Sequence, residues 1–450
     1  MKKLLYIYTI LTFIVIQTPP CFAQWETNGP YGGPVNALVV TGNTIYAGTN
    51  NGVFTSLNNG VSWTKANSGI ERKPVAALAV YNNTVFAGVY DHGVYISSDN
   101  GATWTPQNNG LTNFYISSLF ASTTGKIYVG TADGIFMSAN GGDSWTLSNN
   151  GIPFTYSMYC FAEMGDTIYG GSYGMGLYFT NNDGANWTSV NGGFPADCFV
   201  YALIADGNTL YAGTSEGIYK SENRGLTWNI ANTGIPSSMW AKAFALKPGY
   251  IFAGTYSEGI FVSTDNGNNW TAVNTGLPNL PFPNGLPHNY PSVYNIITTA
   301  TNILAATVNG NYLSLNNGVQ WTETNDGIIG NDITAIAANS STLFAGTELN
   351  GIFSIEDDNN DWIRTNSGLT SYALYSLTSN GNTVFAATMN EGVFKSDNNG
   401  NTWVPANTGL TSDAVILKAD SSRVMAITGG AIATPSGLFH SSDNSTTWSE

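Results

Sequence analysis

Six carboxylates recur in short, glycine-containing turns along the chain: Asp91, Asp133, Glu216, Glu258, Glu348 and Glu391. A rim of such groups can hydrogen-bond sugar hydroxyls, hold a cation, or divide into general acid and general base. That division depends on a separation in space, so no catalytic residue is assigned. Tyr90, Tyr173 and Tyr256 stand in the same turns, while Phe199 and Trp240 fall at one equivalent place just ahead of a following apolar segment. Flat aromatic faces stack on sugars or anchor protein interfaces. The plainer alternatives are solvated turns for the carboxylates and packing for the rings.

Other chemistries lack their residues. The three histidines, His92, His288 and His440, show no metal-ligand spacing, so neither a metal nor a cofactor is implied. There is no nucleophile elbow, phosphate loop or dinucleotide fingerprint. Acidic residues outnumber basic ones 29 to 14, a net charge of −15 that repels nucleic acid and anionic lipid.

Lys2 and Lys3 precede an apolar run, Leu4 to Ile16, that ends at Cys21-Phe22-Ala23. This is the layout of a signal peptide spanning 1–23, cleaved after Ala23, and the run is too short to cross a bilayer. The mature chain, 24–450, is expected to be secreted, periplasmic or at the cell surface, without membrane insertion. Cys160 and Cys198 then remain, as a disulfide or as two unpaired thiols.

The elements that must carry these groups are short strands. Only 10% of residues are charged while 51 are glycine, which excludes helical bundles and charged disorder. Ten of the twelve tryptophans recur at intervals of 41, 41, 42, 41, 42, 51, 41, 41 and 45, from Trp63 to Trp448. One unit reads as four strands, A to D: Val35–Val40, Thr44–Thr49, Val53–Thr55 and Trp63–Asn67. A forty-residue period of four short strands predicts an all-β propeller.

The turn between C and D carries Ser-x-Asp-x-Gly-x-x-Trp, as in Ser97 to Trp104 and Ser263 to Trp270. This resembles the Asp box of the bacterial neuraminidase repeat family. Asp99, Asp265, Asp357 and Asp443 stand at the box position before Trp104, Trp270, Trp362 and Trp448; Asn58, Asn140, Asn182, Asn223, Asn316 and Asn398 stand there in six other copies. A neutral acceptor serves as well as a charged one, so the box is read as structural: side-chain oxygen on backbone N–H groups, indole buried between sheets. The resemblance implies that boxes occupy the propeller face away from the ligand. The carboxylate turns and the aromatics then share the opposite face.

Sialidase activity in that family needs three arginines around the substrate carboxylate. Of the four arginines here, Arg224, Arg364 and Arg423 fall elsewhere, leaving Arg72 alone on the binding face. The expected architecture is one ten-bladed ring, similar to sortilin-type receptor propellers and completed by an N-terminal strand at Trp25; the alternative is a seven-bladed ring and an incomplete second. The expected function is non-catalytic binding of a glycan or an extracellular protein. The alternative is a xyloglucanase-like glycoside hydrolase using two rim carboxylates.

Overall fold

The computed structural model describes residues 33–152, 157–195, 197–236, 239–278, 290–299, 301–325, 333–348, 350–356, 362–389, 391–410, 414–419, 423–429, 435–442 and 447–449. The expected signal peptide and the strand at Trp25 lie outside them. Every regular element among the described residues is a strand. The repeats fold into ten antiparallel sheets, nine of four strands and the tenth of three, so the chain is an all-β propeller of four-stranded blades.

Blade 1 shows how the sequence builds a blade. Strands Val35–Thr41, Thr44–Thr49, Gly52–Ser56 and Thr64–Lys65 pair in chain order. The A-to-B connection is two residues long. In blade 2 it is Asn82-Asn83, whose φ angles of 46° and 64° match the twist of the flanking strands.

The C-to-D turn is held by side chains. Ser97 Oγ donates to Asp99 Oδ1 at 2.8 Å and accepts from Gly101 N–H at 2.8 Å. Asp99 Oδ1 also accepts Thr103 N–H at 2.9 Å. Asn58 makes the same acceptor contact, with Ser62 N–H at 3.0 Å, and uses its amide to donate to Ser62 Oγ. An amide replaces the carboxylate because the turn needs an acceptor and a hydroxyl partner, not a charge. Asp357 and Asp443 lie outside the described residues; Trp362 is half-buried and Trp448 buried.

Blades are joined by apolar clusters and by the indoles. Trp104 Nε1 donates to the Ala66 carbonyl of blade 1 at 2.8 Å, and Trp145 to Gln107 of blade 2 at 2.8 Å. Trp63, the first, donates to the Thr324 carbonyl of blade 7 at 2.9 Å. One cluster accordingly unites Val35, Leu38, Ile45 and Trp63 of blade 1 with Leu304, Ala306 and Leu313 of blade 7. The ring therefore closes after seven blades. Blades 8, 9 and 10 share two clusters of their own, and among the described residues none joins blade 7 to blade 8. These contacts describe seven blades and an incomplete second set in place of the single ten-bladed ring expected from the repeats. Blade 8 meets blade 7 through polar groups instead, Arg364 to Glu323 at 2.6 Å and Asn309 to Asn350 at 2.8 Å. Its leading face is open: Ile336 is 69% exposed, where the equivalent Leu38 of blade 1 is 4% exposed.

The long interval between Trp270 and Trp321 falls inside the ring, since Leu277 of blade 6 and Val293 of blade 7 share one cluster. It is not a linker between rings; residues 279–289 lie outside the described set.

Candidate functional site

The inner strands of the seven ring blades are Val35–Thr41, Val75–Tyr81, Ile116–Ala121, Met158–Met164, Val200–Asp206, Ala241–Lys247 and Val293–Thr298. Near the start of each, the pairing with strand B shifts register, as between Val200 and Ala202. The skipped residue sits in a bulge, a device that re-aims a side chain out of the ladder. Asn36, Ala76, Ser117, Tyr159, Tyr201, Lys242 and Tyr294 occupy the seven bulges, and all seven line one central cavity of about 730 Å³.

The wall this makes is lopsided. Blades 1 to 3 contribute Asn, Ala and Ser; blades 4, 5 and 7 contribute Tyr, and blade 6 contributes Lys. Above the tyrosines stand the rings expected from sequence. Tyr173 meets Phe199 edge-on at 4.3 Å, Tyr201 lies near-parallel to Trp240 at 5.8 Å, and Trp240 contacts Tyr256 at 5.2 Å. Tyr159 joins the arc to Tyr173 at 5.5 Å and to Tyr201 at 6.1 Å. The turn tyrosines are placed by backbone: Tyr173 N–H donates to Ser157 O at 3.0 Å and Tyr256 N–H to Trp240 O at 3.0 Å. Tyr90 is positioned likewise by Pro74 O and packs on Tyr115 at 5.2 Å. Trp240 remains 41% exposed and Tyr173 47%, so these faces are open to a ligand.

Lys242 lies among the rings. Its Nζ is 4.2 Å from the Tyr201 centroid, 5.5 Å from Tyr256 and 5.7 Å from Trp240. Ring faces attract a cation, which offsets part of its desolvation. Burial nevertheless lowers the Lys242 pKa. Burial, followed by the neighbouring Tyr173 and Tyr159, pushes the Tyr201 phenol up to about 12, so it stays a neutral donor and acceptor.

The six carboxylates are not brought together there. Among the described residues, no Asp or Glu lines the cavity. Glu348 and Glu391 belong to blades 8 and 9, outside the closed ring. Asp91 has φ 62°, and the backbone N–H groups of Asp133, Glu216 and Glu258 are each held by a threonine hydroxyl of the preceding strand. These residues shape the B-to-C turns. Of the other loop aromatics, Phe194 is packed on Trp228 at 4.9 Å, while Phe154, Tyr156 and Phe282 lie outside the described residues. His92 and His440 are exposed and His288 lies outside; no metal-holding cluster occurs among the described residues. Cys160 and Cys198 are free, with no disulfide between them.

Sequence reasoning named Phe199, Trp240, Tyr90, Tyr173 and Tyr256, but not Tyr159, Tyr201, Lys242 or Tyr294. Aligned repeats carry a signal for the latter: the second residue of strand A changes from blade to blade while its neighbours stay small or aliphatic, Asn295 excepted.

The DUF6242 beta propeller domain matches residues 35–164 and 152–302. No curated protein matches the chain by sequence. In fold it is similar to the GH74 enzyme of Niastella koreensis, at TM-score 0.65 and 17% identity over 93% of this chain and 72% of that one. The extracellular domain of the putative one component system BT4673 from B. thetaiotaomicron aligns at TM-score 0.53 and 17% identity, over 92% of this chain and 58% of that one. PorZ, a surface component of the type-IX secretion system of Porphyromonas gingivalis, aligns at TM-score 0.56 and 14% identity over 92% and 58%. The chain thus spans under two thirds of the last two. Among the described residues, no helix is long and apolar enough to cross a membrane.

Proposed function

Because this chain belongs to the DUF6242 beta propeller domain family, and its central cavity is walled on one side by aromatic rings, we propose that it is a non-catalytic glycan-binding propeller. The ligand seat is the channel mouth of blades 4 to 7. The observation that carries this reading is the arc Tyr159, Tyr173, Phe199, Tyr201, Trp240 and Tyr256, contiguous and partly exposed around the cavity. Such rings present flat apolar faces to the C–H faces of a sugar. The box turns serve as scaffold, in keeping with the Asp-box resemblance, and the apolar run Leu4 to Ile16 together with the likeness in fold to extracellular and surface proteins supports a place outside the cytoplasm.

A glycoside hydrolase is the second reading, favoured by the likeness in fold to a GH74 enzyme. It requires an acid and a base flanking the bond, and the cavity wall supplies neither among its described residues. Glycan-array binding with a parallel reducing-sugar assay separates the two. Binding without sugar release, weakened at least tenfold by Trp240→Ala, is expected; release of sugar abolished by Glu216→Gln or Glu258→Gln establishes the enzyme.

A further inference from the structure

We propose that Lys242 is the seat of a sugar carboxylate, so that the channel takes a sparsely acidic glycan, one uronate among neutral sugars. This rests on the glycan-binding reading above and specifies its ligand. Lys242 is the sole charged residue among those lining the cavity. The ion pairs of the described residues use Lys126, Lys220, Arg364 and Lys395, and Lys242 has neither a carboxylate nor a hydrogen-bond acceptor among them. Three rings attract its charge, but none accepts the three N–H donors that an ammonium carries. Lys242 Nζ is not among the buried, unpartnered polar atoms, so these donors face the channel, where an incoming ligand oxygen can take them.

The surroundings select among anions. Tyr201 and Trp240, whose centroids lie 4.2 Å and 5.7 Å from Nζ, are 28° from parallel, so flat faces border the ammonium. A pyranose can stack there while its C6 carboxylate reaches Nζ. Lysine is a point charge and takes one oxygen; a doubly pronged anion such as a sialic acid carboxylate held by arginines has no counterpart in this cavity. The net charge of −15 opposes a dense polyanion. One carboxylate per several neutral sugars satisfies both the local cation and the long-range field.

The test is calorimetric titration of the full mature chain with a xylo-oligosaccharide bearing a single glucuronate branch and with the unbranched oligosaccharide of equal length. The branched sugar is expected to bind about tenfold tighter, the usual worth of one charge-assisted hydrogen bond. Lys242→Met should bring the two affinities within about twofold of each other, and Lys242→Arg should keep the preference, with thermal melting confirming that each variant is folded. Equal affinities in the unaltered protein, or a preference that survives Lys242→Met, overturn the assignment while leaving the glycan reading in place. Hexaglutamate bound as tightly as the branched sugar overturns the sugar specificity. If neither oligosaccharide binds, the glycan-binding reading itself fails and this inference with it.

Discussion

Ring closure between blades 7 and 1 makes Trp63 a core residue, and Trp63→Ala measures whether it is one. The indole is 3% exposed, packs with Leu304 and Leu313 across the closure, and donates to the Thr324 carbonyl. Removing a buried Trp costs about 3–5 kcal/mol. The ring runs from residue 33 to residue 325, and at about 2.1 cal/mol/K per residue its unfolding entropy is about 0.6 kcal/mol/K. The melting temperature of the ring should therefore fall by about 5–8 °C. Trp104→Ala, between blades 1 and 2, should fall by a similar amount, since Trp104 is also 3% exposed. Trp362→Ala in blade 8 should cost clearly less, because Trp362 is half-buried on an open face. Differential scanning calorimetry of the three variants decides it. A Trp63→Ala loss no larger than that of Trp362→Ala would refute closure after seven blades.

Three further outcomes follow from the same geometry. Hydrogen bonds from Thr103 and Ser97 hold the Asp99 carboxyl down at about 2, and those from Asn269 and Ser263 do the same for Asp265, against an ordinary 3.8. A depressed pKa contributes stability that is present above pH 3.8 and lost as pH falls toward 2. Asp99→Asn with Asp265→Asn should leave melting at pH 7 nearly unchanged and flatten its decline between pH 4 and 2; a large loss at pH 7 would show that these turns need charge. Burial pushes Cys198 up to about 11 and Cys160 higher still, so neither thiol should react with iodoacetamide at pH 8 in the folded protein, while mass spectrometry should find both alkylated in denaturant. A Cβ at Gly130 would lie against the Met158 carbonyl of the next blade, so Gly130→Ala should destabilise by about 1–3 kcal/mol in chemical denaturation, through crowding; Gly207→Ala meets open space and should cost only the roughly 1 kcal/mol of a side chain at φ 59°.

What was legible in the chain is what repeats. Trp104, Ser97 and Gly101 recur because every blade must bury an indole and turn the chain in the same way, and such periodicity declares the propeller and its strands. The number of blades in the ring was not legible: the box before Trp362 has Ile355 and Asn359 where the box before Trp63 has Ser56 and Gly60, but a worn turn does not say which blade packs against it. Trp63 and Trp362 differ in what covers them, a property of the closed assembly: Leu304 packs with the first, while among the described residues no apolar cluster includes the second, which is half-buried.

The site divides along the same line. Trp240 and Tyr173 could be found because turns announce themselves through glycine and because residues just before a strand face the rim. Tyr201 and Lys242 could not be found by alternation, since a strand counted in twos assigns them to the wrong side; the bulge between Val200 and Ala202, and its equivalent between Ala241 and Ala243, turns them into the channel. Seven equivalent bulges would give seven equivalent walls, and a symmetric pore has no means of orienting an asymmetric ligand. The chain instead places Asn36, Ala76 and Ser117 on one side and Tyr159, Tyr201, Lys242 and Tyr294 on the other. Selection for packing alone has no need of that division, whereas a ligand bound against one wall, with room on the other, does.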